Sequence, residues 1–74
     1  MPKLYSARVI ITALLRAEFK VVSQKGSHIK LIKHSSTKVL TVIIPNHKQI
    51  AIGTFKSILK QANMEQGELE KFIK

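Results

Sequence analysis

Seventy-four residues without a single cysteine leave room for one small domain and exclude disulfides and thiolate–metal sites. The net charge is +9, from 13 Lys/Arg against 4 acidic residues, none of them aspartate. That balance excludes chemistries built on clustered carboxylates: divalent-metal nucleases and phosphatases, and glycosidases with their carboxylate pair.

Three of the four carboxylates, Glu65, Glu68 and Glu70, lie in the last ten residues. Residues 1–64 therefore hold 11 basic groups (13 less Lys71 and Lys74) against Glu18 alone, a local charge of +10. Such a surface attracts polyanions, and nucleic acid is the commonest of these. The opening Met-Pro-Lys-Leu-Tyr is not followed by the uninterrupted apolar stretch of a signal peptide. Nor does any run approach the roughly 20 apolar residues of a membrane span. The expectation is one cytoplasmic domain over residues 1–74, with a core at about 6–64 and a terminal helix at about 65–74. It should be monomeric when free and have no membrane partner.

In chain order, Ser6 can cap a helix from Ala7 to about Ala17. Val9, Ile10, Ala13, Leu14 and Ala17 recur at helical spacing, with Arg8, Thr12 and Arg16 on the wet side. Phe19 to Gln24 reads as a strand, with Phe19 and Val21 on one face and Lys20 and Val22 on the other. Lys25 to Ser27 is a turn. His28 to Lys33 is the second strand, Ile29 and Leu31 pointing one way and His28, Lys30 and Ile32 the other. Ser35 to Lys38 is a polar hairpin loop. Val39 to Ile44 is a β-branched run suited to a central or well-covered strand, stopped by Pro45, which has no N–H for the ladder. After a connection from Asn46 to Ile52, a second helix begins at Gly53 or Thr54. Its apolar face is Phe55, Ile58, Leu59 and Ala62, and Asn63 is a left-handed cap. Gln66 to Ile73 is a short third helix packing Leu69 and Phe72. The order predicts a two-layer α+β sandwich, α-β-β-β-α with a short extra C-terminal helix and a three-stranded antiparallel sheet.

The stretch Lys25-Gly26-Ser27-His28-Ile29-Lys30-Leu31 concentrates the chemistry. Gly26 allows the backbone to reverse through positive φ. His28 is then held at a strand start, and an imidazole both donates and accepts protons near neutral pH. Ser27 has no base adjacent in sequence and reads as a turn residue. No phosphate-binding loop or dinucleotide fingerprint is present. A three-histidine zinc site from His28, His34 and His47 lacks recognisable ligand spacing, so no metal or cofactor is expected. What remains is metal-free acid–base chemistry on a substrate that carries its own nucleophile. RNA is such a substrate, because its 2′-OH lies beside the phosphorus it can attack. Lys25 and Lys30 are candidates to stabilise charge on the phosphate. His47 either contacts RNA, assists His28 or sits on the plain surface. Lys56 and Lys60, one helical turn apart, either track phosphates or form a solvated face. His34 reads as a solvated loop residue.

Three segments carry a family resemblance: Lys25-Gly26-Ser27-His28; Val42-Ile43-Ile44-Pro45-Asn46-His47; and Gly53-Thr54-Phe55-Lys56-Ser57-Ile58-Leu59-Lys60-Gln61-Ala62. In order and spacing, over about residues 6–64, they resemble the HicA toxin family. The resemblance implies a fold like the double-stranded-RNA-binding domain and activity as an endoribonuclease acting on mRNA. It also implies a catalytic role for His28 and a HicB-like antitoxin as partner. A non-catalytic RNA-binding module of the same fold is the alternative. Two positions depart from the family pattern. Glu18 stands where glycine usually ends the first helix, and Leu31 replaces an aromatic often found three residues after the histidine.

Overall fold

The structure, a computed structural model, describes residues 4–73. Its first helix, α1, spans Ala7–Arg16, and the Ser6 hydroxyl caps it by accepting from the Val9 N–H at 3.1 Å. Ala7, Ile10, Ala13 and Leu14 form its buried stripe, continued by Ala17. Val9, expected on that stripe, is instead 36% exposed. It lies about 100° round the helix from Ile10, beyond the edge of the apolar arc.

The end of α1 is a Schellman arrangement. The Glu18 N–H donates to the Leu15 carbonyl (3.1 Å) and the Phe19 N–H to the Leu14 carbonyl (2.9 Å). Glu18 sits at φ 76°, and the Leu14 and Phe19 side chains that flank it are both buried. The second helix, α2 (Ile52–Ala62), ends the same way at Asn63 (φ 56°), with Asn63 N–H to Lys60 and Met64 N–H to Leu59. Asparagine tolerates this backbone; glutamate has no such preference.

Three strands follow α1: β1 (Lys20–Lys25), β2 (His28–His34) and β3 (Val39–Pro45), paired antiparallel in the order β1-β2-β3. Phe19 is buried just before β1, and the expected alternation then fails: Val21 and Val22 are 47% and 48% exposed. Val21, paired with the buried Leu31, keeps the expected side but lies on an edge strand, and Val22 is displaced by a bulge. Val21 pairs with Leu31 but Ser23 pairs with Lys30, so Val22 is an extra residue. The Ser35–Lys38 loop forms as expected, the Ser35 hydroxyl donating to the Lys38 carbonyl at 2.7 Å.

β3 is an edge strand, not a central one; β2 is central. One face of β3 buries Val42 and Ile44 beneath α2. Its free edge is closed from the side, where the Gln61 side-chain oxygen Oε1 accepts from the Ile43 N–H at 2.9 Å. Pro45, two residues on and facing the same way, has no N–H to leave unpaired.

α2 starts at Ile52, one or two residues before the expected Gly53 or Thr54, behind an Ala51 cap that contributes no side-chain bond. Ile50 and Phe55 bracket this start and are both buried, a hydrophobic staple that replaces the missing polar cap. The expected apolar face of Phe55, Ile58, Leu59 and Ala62 is buried. The third helix, α3, is shorter than expected, Gln66–Glu70, and is opened by a reciprocal Glu65/Glu68 capping box. Leu69 anchors it at 0% exposure, while Phe72 packs only partly on the core. Tyr5 ties it to the rest: its hydroxyl donates to Glu70 Oε2 at 2.9 Å and its ring lies 5.5 Å from that of Phe55. The protein is thus a two-layer α+β sandwich, with α1, α2 and α3 on one side of the sheet.

Candidate functional site

The helices cover a single face of the sheet, the one carrying Ile29, Leu31, Val42 and Ile44. Strand alternation puts His28, Lys30 and Ile32 on the other face, open to solvent. Cross-strand pairing adds neighbours that point the same way. Lys25 and Pro45 flank His28, Ser23 and Ile43 flank Lys30, and Lys20 and Thr41 flank Ile32.

His28 owes its position to the turn before it. Lys25 pairs directly with His28, leaving Gly26 and Ser27 as a two-residue loop. Only Gly26 of the two takes positive φ, at 55°, the signature of a type II′ turn, whose twist matches that of the flanking strands. On its other side His28 pairs with Pro45. One residue further along, the Asn46 N–H donates to the Ser27 carbonyl at 2.6 Å. Backbone bonds from both sides therefore fix the base of the imidazole, while the side chain itself is exposed.

His47 belongs to the same end of the molecule. Its carbonyl accepts from the Ala7 N–H at 2.9 Å, joining the segment after β3 to the start of α1. The side chain borders a cleft of about 360 Å³ lined by Ser6, Arg8, Asn46, His47 and Lys48. Lys48 follows His47 in the chain, but sequence patterning does not single out Arg8 as a neighbour of His47, because the long-range Ala7–His47 backbone bond brings it there.

The remaining candidates lie elsewhere. His34 ends β2, six residues from His28, or roughly 20 Å along the strand, so these two rings cannot share a ligand. Lys56 and Lys60 are exposed on α2, on the side of the sheet opposite the face that carries His28. Leu31 is fully buried, so its position faces the helices and not a base lying on the open sheet. Lys33 turns toward α1, its ammonium 5.7 Å from the centre of the Phe19 ring. Among the described residues, no group of three His, Cys, Asp or Glu side chains is placed to hold a metal ion.

Together these features define a small basic α+β domain with an imidazole fixed at one end of an uncovered sheet face. The family model described as HicA toxin of bacterial toxin-antitoxin matches residues 7–64. The chain belongs to the HicA toxin family, and as a toxin of this kind it has an antitoxin partner. No curated protein and no solved structure gave a match. Among the described residues, no helix is long and apolar enough to cross a membrane.

Proposed function

We propose that the protein is an endoribonuclease that cuts mRNA by transphosphorylation, with His28 as its acid–base group, and that a HicB-like antitoxin neutralises it in the cytoplasm. The observation that carries this reading is the placement of His28. It is an exposed imidazole locked between Lys25 and Pro45, on a face whose other charged side chains are lysines.

The reaction needs no added nucleophile. The 2′-oxygen attacks the adjacent phosphorus and the bond to the 5′-oxygen breaks, giving a 2′,3′-cyclic phosphate and a 5′-hydroxyl. His28 acts at one of two points. As neutral imidazole it takes the 2′-OH proton; as imidazolium it protonates the leaving oxygen. Help of this kind is worth roughly 10²–10⁴-fold. Lys25 and Lys30, beside His28 and one alternation along the strand from it, balance charge building on the phosphate oxygens. His47, at the same end, contacts the RNA. Lys56 and Lys60 are available for phosphates of a longer RNA that passes round to the α2 side.

The test is cleavage of RNA by the purified toxin in EDTA, wild type against His28→Ala, with identification of the product ends. The wild type should yield cyclic phosphate and 5′-hydroxyl ends, and a single 2′-deoxy substitution at the cut site should block the reaction. Undiminished cleavage by His28→Ala would refute the assignment. RNA binding without cleavage by the wild type would make the protein a binding module instead.

A further inference from the structure

We propose that the substrate lies as a single strand along the open face of the sheet, its phosphates tracked by Lys30 and Lys20 and its bases resting on Ile32 and Ile43. This deepens the ribonuclease reading and rests on it for the placement of the cut at His28.

The face has the geometry of a track. His28, Lys30 and Ile32 follow one another on β2, each about 6.6 Å further along. Lys20 flanks Ile32 from β1, and Ser23 flanks Lys30. From the imidazole the cations therefore run Lys25, Lys30, Lys20, toward the far end of the sheet. The bulge at Val22 matters here. Without that extra residue Lys20 would fall on the face opposite Lys25; with it, both pair with outward-facing residues of β2. Sequence alternation alone does not reveal this. Beside the cations lie Ile32, half-buried and paired with Lys20, and Ile43, 38% exposed and paired with Lys30, a diagonal apolar strip. The one carboxylate of residues 1–64, Glu18, borders the cleft beyond Lys20, at the end away from His28.

Two observations select a single strand over a duplex. The patch is formed from strand residues alone and is about 13 Å long and 10 Å wide, whereas duplex readers reach into successive minor grooves. Attack by the 2′-oxygen also requires the leaving 5′-oxygen in line with it, which a flexible strand can reach and a regular A-form helix withholds. The aromatic inventory adds a consequence. Phe19 and Phe55 are buried, and Tyr5 and Phe72 pack against the core. These are all the Phe and Tyr residues of the chain, which has no Trp, so apart from the His28 imidazole the face has no ring on which bases could stack. Binding should therefore be dominated by phosphate contacts, weakly selective for sequence and steeply dependent on salt.

The experiment measures affinity of the full-length His28→Ala protein, which removes the proposed cleaving group, for a short unstructured RNA and for the same RNA annealed to its complement. Salt is varied between about 50 and 200 mM. Each single-strand phosphate contact contributes roughly 0.7 to the log–log salt slope, or about fivefold in affinity at 0.1 M salt. The single strand should bind more tightly than the duplex. Adding Lys20→Ala and Lys30→Ala together should flatten the slope by about 1.4 and weaken binding about 25-fold. Lys20→Arg with Lys30→Arg should keep the slope, and Lys38→Ala, in the distant hairpin loop, should leave it unchanged. A preference for duplex, or an unaltered slope in the double alanine variant, overturns the track. If the wild type cleaves through His28 while that slope is unaltered, the track fails and the ribonuclease reading stands. If the slope flattens but the wild type never cleaves, the reverse holds.

Discussion

Replacing Glu18 by glycine should stabilise the protein, although Glu18 is exposed and glycine lowers stability in most settings. The reason is φ 76° at a non-glycine position. An L-residue held in the left-handed region costs roughly 1–2 kcal/mol, and glycine adds about 0.5–1 kcal/mol of unfolded-chain entropy. At the midpoints of these ranges the exchange favours glycine by about 0.75 kcal/mol, or roughly 3–6 °C in Tm for a domain of this size. Both backbone bonds of the Schellman turn, Glu18 N–H to Leu15 and Phe19 N–H to Leu14, survive the change. Glu18→Gln removes the charge but keeps the side chain and its strain, so it separates electrostatics from backbone. Glu18→Asn should fall between glutamine and glycine, because asparagine already holds the equivalent turn at Asn63. The assay is urea unfolding of all four proteins with a shared slope. If Glu18→Gly proved no more stable than Glu18→Gln, the strain argument would be refuted.

Leu31→Phe restores an aromatic after the histidine but places it in a fully buried site. It should cost about 1–3 kcal/mol by overpacking and leave RNA affinity unchanged, read by urea unfolding and a binding titration. Gln61→Leu uncaps the Ile43 N–H at the sheet edge; the loss should be about 0.5–1.5 kcal/mol, with faster hydrogen exchange at that amide. The Tyr5–Glu70 clasp makes the docking of α3 depend on pH at both extremes. Gln66 first and then Tyr5, donating to the Glu70 carboxylate, hold it below its ordinary value of 4.5. That contribution is complete above pH 4.5 and is lost as pH falls through the lowered value. The same hydrogen bond raises Tyr5 above 10.0, so its contribution holds below pH 10.0 and is lost as pH rises through the raised value. In melting curves against pH, Tyr5→Phe should abolish the alkaline loss and shrink the acid one.

Local chemistry explains which features could be read from the chain. The hairpin turn was legible because Gly26 and the flanking polar residues leave few alternatives, and the helix ends because Ser6 and Asn63 are residues with specific capping geometry. The α2 core face was legible because Phe55, Ile58, Leu59 and Ala62 repeat at helical spacing. What escaped depends on pairing between distant segments. The bulge at Val22 is set by where β1 meets β2, and no property of Val21-Val22-Ser23 announces it. The apolar run in β3 suggested a central or well-covered strand; it is covered but not central, since it lies at an edge where α2 covers one face and Gln61 closes the edge from 18 residues away. Tyr5 offered no periodic signal, although it touches Phe55 and Glu70. At the candidate site, His28 and Lys30 were legible from alternation, whereas Lys25, read as part of the turn, is the last residue of β1 and pairs with His28. Their separation from Lys56 and Lys60 follows from the layering of the fold.

That layering separates stability from chemistry. Ile29, Leu31, Val42 and Ile44 face the helices and supply burial; His28, Lys30 and Lys20 face solvent and bury nothing. A chain of this size has little stability to spare, and a toxin must remain folded to be recognised by its antitoxin. An open face is compatible with both, since charges can be placed on it without disturbing a packed core. The cost is mutual repulsion among cations that have no carboxylate between them, which self-charge imposes on the compact state. Any anionic occupant relieves that repulsion, whether RNA or an acidic partner surface, and by mass action it stabilises the fold that presents the face. If RNA occupies this face as proposed, a polyanion that competes with it should inhibit the toxin and stabilise it together.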